Sequence, residues 1–321
     1  DFCIAGACYP ECHPDSANRV EEMRHMRTKV EAGAEVLLSQ LFFDNNAFYS
    51  FIEKARIAGI NVPIEAGIMP VINKNQIERM VSMCGASLPR KFVKMIQKYE
   101  DRPEALVDAG IAFAIEQIID LVANDVDGIH IDDYFYPTTD TYFDSATYKE
   151  ADTAESLEKW RTDNVSKMVE AMYNAVKSVN NLVLFGVSPQ GNIENNYDYM
   201  YADVKKWCSE KGYLDYIVPQ IYFGMDNTAR PFVETAKEWS SIVTEQSISL
   251  VIGLGAYKIN EEEEFINTTG IIGEQIDVSK QLSNYNGFAL YNYINLFEPE
   301  KNQARRANAE LEYIKKAINK D

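Results

Sequence analysis

Short runs rich in β-branched and aromatic residues alternate along this chain with longer stretches of helical period, and the alternation repeats eight times. The strand-like runs are Phe2 to Tyr9, Val36 to Phe43, Val62 to Met69, Gly128 to Tyr134, Leu182 to Ser188, Leu214 to Tyr222, Leu250 to Ala256 and Gly287 to Tyr293. Between them, stretches such as Ala17 to Gly33, Pro103 to Ala123, Ala154 to Val179 and Arg230 to Glu245 carry apolar stripes at helical spacing with charged opposite faces. Strand alternating with helix predicts a parallel sheet. Eight such units predict a single (β/α)8 TIM barrel over residues 1–321, an α/β fold whose chemistry sits at the carboxyl ends of its strands. The alternative is an open doubly wound sheet. Its GxGxxG turn is missing: IGLGAYK at Ile252 to Lys258 offers only a GxG fragment, read as a glycine pair that eases packing. No Gly-, Pro- or Ser-rich linker divides the chain, and the acidic run Glu261 to Glu264 reads as a solvated helix start.

Composition narrows the ligand classes. A length of 321 residues, 46% of them hydrophobic, can bury a large core. A net charge of -18 and a pI near 4.7 oppose nucleic acid and anionic membrane surfaces, which need a basic footprint. Small molecules, sugars and cationic partners stay open. Cys3, Cys8, Cys12, Cys84 and Cys208 are an odd, scattered set and not a disulfide framework, so a reduced cytoplasmic protein is expected; a monomer is the expected state. No CxxC pair exists and the histidines are His13, His25 and His130, so no metal is expected. No run of about 18 apolar residues predicts a membrane span, and no signal peptide precedes the first strand, which follows Asp1 as if at a cut end.

Five motifs fill the first 131 residues: AGACYPECHP (5–14), KVEAGAEVLLSQLFFD (29–44), GIMPV (67–71), LPRKF (88–92) and DAGIAFAIEQIIDLVANDVDGIHI (108–131). In order and density they resemble the carboxyl half of the methylenetetrahydrofolate reductase barrel, where such a stretch supplies strands five to seven and the approach to strand eight. The resemblance implies that Tyr9 and His13 lie beside a flavin (FAD), Lys29 on its phosphate, and Gln40 against a folate. Lysine as a point charge and tyrosine as an aromatic face suit those roles. Taken alone, Lys29 reads as a solvated helix lysine and Tyr9 as a rim aromatic. Departures weigh against the activity. The family's strand-one acid and the flavin contacts of its strands two to four have no counterpart here, and Lys74 replaces an aromatic residue. Hydride transfer is therefore not expected, and FAD would be bound weakly or not at all.

From residue 126 onward the resemblance changes. DGIHIDDYFYP (127–137), WRTDNV (160–165), FGVSPQGN (185–192), YADVKKW (201–207), LDYIVPQIYF (214–223) and IGLGAYKI (252–259) resemble strands four to eight of bacterial glycosyl hydrolase-like 10 barrels. Three strands from one family and five from the other make eight, with the change inside a shared strand: residues 1–128 are reductase-like and 129–321 hydrolase-like. That arithmetic leads to the expectation of an engineered chimera retaining at most residual flavin or phosphate binding. The alternative is a glycoside hydrolase-like enzyme acting on a polysaccharide or glycan, and a flavin-dependent oxidoreductase comes third.

Strand period places some side chains without any family. With Ile129 and Ile131 on the helical side, His130 and Asp132 face the barrel axis, as do Gly186 with Ser188 and Gln220 with Tyr222. Glycoside hydrolysis commonly uses two carboxyl groups about 5 Å or roughly 6.5 to 9.5 Å apart. Asp132 is the leading candidate, with Asp133 beside it as second acid or loop anchor. Glu194 and Asp226 are further donors, and Ser188, Gln220 and Tyr222 are candidate substrate contacts. A DD pair ending a strand also reads as a turn cap.

Overall fold

The computed structural model describes residues 3–13, 16–71, 77, 81 and 85–319. Eight parallel strands close into a barrel in sequence order: β1 (Cys3–Cys8), β2 (Val36–Ser39), β3 (Ile64–Gly67), β4 (Gly128–Asp132), β5 (Leu184–Ser188), β6 (Tyr216–Ile217), β7 (Ser249–Leu254) and β8 (Tyr285–Leu290). All eight predicted strands are present, most of them shorter than their hydrophobic runs. The sixth departs furthest, covering two residues of the predicted Leu214 to Tyr222. Pro219 has no N–H to donate to the ladder. The chain instead continues through single bridges, Gln220 to Gln190 and Gln220 to Gly253, while the Pro219 carbonyl accepts from Gly253 N (3.0 Å).

The helices follow the apolar stripes. Asn18, Asp44 and Ser156 cap the starts of the helices Arg19–Glu31, Asn45–Ile57 and Leu157–Val179, each accepting backbone N–H groups left orphaned by the first turn. Outward-facing strand residues, among them Ile64, Ile129, Ile131, Phe185, Val187, Ile217, Ile252 and Phe288, are buried against the helical layer. This shell is the main hydrophobic core.

The barrel interior is different, because glycines share its inner face with a few large polar residues. A Cβ on Gly186 would lie 1.9 Å from the Tyr216 ring, and one on Gly128 would lie 2.8 Å from the Glu65 side chain. The space those glycines leave is filled by a chain of polar groups. The Tyr216 hydroxyl donates to Glu65 Oε2, and its oxygen lies 2.8 Å from His130 Nδ1. With the tyrosine proton spent on Glu65, His130 must be the donor, so its proton sits on Nδ1. Burial pushes His130 down to about 3, and it is neutral. Burial pushes Glu65 up to about 7, against the Tyr216 hydrogen bond and with help from Asp127.

The strand at which the two resemblances meet is fully paired. Glu65, Ala66 and Gly67 of β3 align with Gly128, Ile129 and His130 of β4, and Ile68 N donates to the His130 carbonyl (2.8 Å). Below this ladder Asp127 accepts from Ile64 N (2.7 Å) and pairs with Arg56 (3.2 Å). At the other meeting point β1 pairs with β8 through Cys3, Ile4 and Ala5 against Gly287, Phe288 and Ala289. Among the described residues no helix is long and apolar enough to cross a membrane, and no group of three or more His, Cys, Asp or Glu could hold a metal. Cys8, Cys12 and Cys208 are free thiols; the Cys3 side chain, Cys84 and Lys74 lie outside what is described.

Candidate active site

Asp132 is the last residue of β4 and faces the barrel mouth, as the alternation along Gly128 to Asp132 requires. Its Oδ1 accepts two hydrogen bonds, from Gln220 Nε2 (2.8 Å) and from Asp133 N (2.9 Å). Gln220 is itself held, since Nε2 also donates to the Ser188 carbonyl (3.0 Å) and its backbone N donates to the Pro189 carbonyl (2.9 Å). Ser188 Oγ in turn donates to the Val218 carbonyl (2.9 Å). Asp132, Ser188 and Gln220, predicted from three separate strands, thus form one constellation at the carboxyl end of the barrel. The DD pair is not a helix or turn cap alone.

Asp132 keeps accessible surface in the cleft, but the protein around it strips away most of its hydration. That burial, reinforced by the neighbouring Asp133 charge, pushes it up to about 7 against the Asp133 N–H and Gln220 bonds. Asp133 is raised as well, by burial, with Gln190 and Gln220 opposing. Two carboxyl groups this close do not both ionise readily, so one proton is held by the pair near neutral pH. Because Oδ1 of Asp132 is already an acceptor twice over, a proton on Asp132 belongs on Oδ2.

Tyr222 lies within the electrostatic reach of both acids and is half-buried; desolvation first, then Asp132, keeps its hydroxyl protonated well above the ordinary range. Its ring stacks on Tyr291, and Tyr257 meets both edge-on.

The other predicted carboxylates are elsewhere. Glu194 stands in the first turn of the helix Ile193–Met200 and is ion-paired with Arg230. Burial acts against it, yet its own backbone N–H and Arg230 hold it below the ordinary range, the opposite of a proton donor. The guanidinium after the sixth strand claims it, a partner that the loop sequence did not announce. Asp226 is held through its backbone N, which donates to Glu264 Oε1 (2.8 Å). Glu264 therefore corrects the reading of its acidic run as purely solvated: it turns inward to hold the loop that follows Gln220, where Gly224 leaves room for it.

Tyr9, His13 and Lys29 line one cavity of about 260 Å³ between the β1–β8 edge and the helices Arg19–Glu31 and Tyr293–Phe297. Gln40 does not line it. Lys29 is buried, not solvated. Its Nζ donates to the Ala7 carbonyl (2.8 Å) and lies 5.9 Å from the Tyr9 ring centre, and burial lowers its affinity for a proton. Glu22, also buried, lines the same cavity and accepts from Ser16 Oγ (2.9 Å) and His13 N (3.3 Å). These residues do not fit FAD. The volume is below the 300 to 1,000 Å³ typical of ligand pockets, and a buried carboxylate, Glu22, lines the same cavity as the lysine that would meet the phosphate.

The structure adds residues that the sequence reading missed. Arg161, from the WRTDNV motif, is fully buried; it clamps Asp144 with Nε (2.8 Å) and Nη2 (2.5 Å) and donates to Tyr201 Oη (2.8 Å) and the Asp140 carbonyl (2.7 Å). Tyr136 of the DDYFYP motif donates to the same Asp144 and lies under the guanidinium (5.1 Å). Arg161 thereby fastens the loop that carries Asp133 to the helical layer. Its signal was a charge on the apolar stripe it shares with Val165, Met168 and Met172.

Comparison with known proteins agrees with the two-part resemblance. A family model described as methylenetetrahydrofolate reductase matches residues 1–133, and one described as glycosyl hydrolase-like 10 matches residues 107–268. Glycosyl hydrolase YngK of Bacillus subtilis is 33% identical over 199 residues, 53% of this chain and 38% of that protein. Glycosyl hydrolase DigH of Escherichia coli is 31% identical over 227 residues, 62% of this chain and 52% of that protein. The chain thus spans about half or less of these relatives. The solved glycoside hydrolase domain of PgaB (BpsB) from Bordetella bronchiseptica superposes with a TM-score of 0.59 at 13% identity, covering 97% of this chain and 99% of that domain. The expectation of an engineered chimera is overturned: these relatives point to a glycoside hydrolase-like natural protein, and the whole-length match shows the same barrel fold.

Proposed function

Because the chain belongs to the glycosyl hydrolase-like 10 family, we propose that it hydrolyses glycosidic bonds of a polysaccharide or glycan, with Asp132 as the proton donor. The observation that carries this reading is the setting of Asp132: an acid raised to about 7, at the carboxyl end of a barrel strand, oriented by Gln220 through one oxygen only. A glycosidic oxygen is a poor leaving group until it is protonated, and an acid whose pKa lies near the working pH is the efficient donor. Asp132 Oδ2 supplies that proton as the bond breaks. Asp133, sharing the pair's negative charge, faces the positive charge that grows on the sugar ring. Gln220 keeps the acid in place, and neutral Tyr222 offers a hydroxyl to the substrate without adding charge.

Activity on a panel of aryl glycosides, compared between the wild type and Asp132→Asn, tests the reading. The asparagine cannot donate an acidic proton, and a loss of roughly 10²- to 10⁴-fold in kcat is expected. Turnover that survives the substitution, or no turnover on any glycoside, overturns it.

A further inference from the structure

We propose that Gln190 is a positioning residue of the acid pair: its amide holds Asp133, as that of Gln220 holds Asp132, and so leaves the shared proton on Asp132 and the negative charge on Asp133. The inference rests on the hydrolase reading for its catalytic meaning, and it supplies what gives two adjacent acids different parts. The sequence carries the dipeptide Pro-Gln twice, as Pro189-Gln190 after β5 and as Pro219-Gln220 after β6. The barrel sets the two side by side. Gln190 and Gln220 form a parallel bridge, and Gln220 N donates to the Pro189 carbonyl (2.9 Å). On the other side of β5, Asp132 is in register with Ser188, so both amides stand at the rim beside the two acids.

The loop after β5 takes its shape without the Gln190 side chain. Gln190 N donates to Asn196 Oδ1 (3.2 Å), and Asn196 Nδ2 donates back to the carbonyls of Gln190 (2.7 Å) and Asn192 (3.0 Å). Asn196 is fully buried, as is Trp239, whose indole donates to the Gly191 carbonyl (2.7 Å). A Cβ on Gly191 would lie 2.4 Å from the Gln220 carbonyl oxygen, so the two strand extensions run in contact. Backbone contacts on three sides thus fix residues 190–192, and the amide of Gln190 is left to bond Asp133.

The chemistry of the amide gives the direction. An ionised carboxylate only accepts, so Nε2 of Gln190, and not its oxygen, faces Asp133. Donated N–H bonds favour the charged form of an acid. Gln220 and the Asp133 N–H favour ionisation of both acids, whereas Gln190 acts on Asp133. Two adjoining acids that share one proton divide it according to how their surroundings differ. Gln190 is the hydrogen bond in which they differ. Asp132 is thereby left as the donor through Oδ2, and Asp133 as the charge that meets the developing positive sugar ring.

The division of the proton is read without turnover, by carbon NMR of protein labelled at its aspartate carboxyl carbons, the two signals being identified by their loss in Asp132→Asn and Asp133→Asn. Asp133 is expected to titrate at lower pH than Asp132. Gln190→Ala should bring the two midpoints together, moving that of Asp133 up by about 0.5 to 1 pH unit, and Gln190→Glu, which replaces the donor by an acceptor, should move it further. A side chain that only shaped the loop would be better replaced by glutamate, of equal length, than by alanine. In the active enzyme the acid limb of the kcat profile should follow Asp133 upward, so that kcat below that limb falls about 3- to 10-fold while KM hardly changes. An Asp133 signal that titrates above that of Asp132, or midpoints that stay in place in both Gln190 variants, overturns the proposal. If the midpoints move as expected while the wild type cleaves no glycoside, the role of Gln190 stands and the hydrolase reading falls. If Asp132-dependent cleavage is intact but the midpoints do not move, the reverse holds.

Discussion

Two places on the rim of this barrel hold ionisable side chains that the surrounding protein desolvates, and they manage it in opposite ways. Beside β1 and β8, Lys29 is turned inward onto the Ala7 carbonyl, with Glu22 bordering the same small cavity and holding Ser16 and the His13 backbone. At the end of β4, two acids stand side by side and share a deficit of protons, with an amide and a tyrosine set around them. In the first place each charged group is bound to neighbouring polar groups of the scaffold. In the second, like charges are held together at a cost that a structural role does not require. The contrast teaches where to look for chemistry: a group whose electrostatic conflict is left unresolved is a better candidate than one whose charge the scaffold satisfies.

The sharpest test of that contrast is to remove each centre. Asp132→Asn should lower glycoside turnover by roughly 10²- to 10⁴-fold while barely changing the urea midpoint, whereas Lys29→Met should do the reverse. Equal catalytic losses from the two variants would break the distinction. Next in size is Arg161→Ala, which strands Asp144 in a buried setting. A loss of about 3 to 5 kcal/mol is expected from equilibrium urea unfolding, and a loss below ~1 kcal/mol would show that the clamp is dispensable.

A third prediction concerns pH. Glu65 binds its proton more tightly in the barrel, at about 7, than its ordinary value of 4.5 allows in the unfolded chain. Its contribution therefore favours folding below pH ~4.5 and is lost as pH rises to ~7, by at most about 3 kcal/mol. In Glu65→Gln this part of the slope should vanish from unfolding midpoints measured between pH 4.5 and 8. An unchanged profile would remove Glu65 from the titration, and Asp132→Asn separates the similar slope that Asp132 contributes. The smallest effect is expected for Gln220→Ala. Without the amide that favours its ionised form, Asp132 should hold its proton to higher pH, moving the alkaline limb of the activity profile upward. A downward move would mean that Gln220 acts otherwise.

The eight strands and the inward face of three of them were legible because a two-residue period needs only local sequence. His130, Asp132, Gly186, Ser188 and Gln220 lie where that period puts them. The two-part resemblance is legible as well, but not its origin: relatives such as DigH and YngK point to a natural protein and not a recombined one. Residues that depend on pairing across the barrel were hidden. A lone Glu65 in an apolar strand announces nothing until Tyr216, 151 positions away, meets it. Glu194 looked like a catalytic acid because its partner, Arg230, stands on another loop. Tyr257 and Tyr291 follow strands whose last residues are plainly apolar, and only the closed barrel sets them against Tyr222.

The thread of Glu65, Tyr216 and His130 runs across the inside of four consecutive strands, passing over β5 where Gly186 has no side chain to block it. A ring of paired strands can in principle be unzipped at any one seam. A chord tied inside the ring opposes this between β3 and β6, since parting any one pair there also pulls the tyrosine from at least one of its two partners. The stretch in which the family resemblance changes is thus bound into a single mechanical unit, and the barrel should breathe elsewhere.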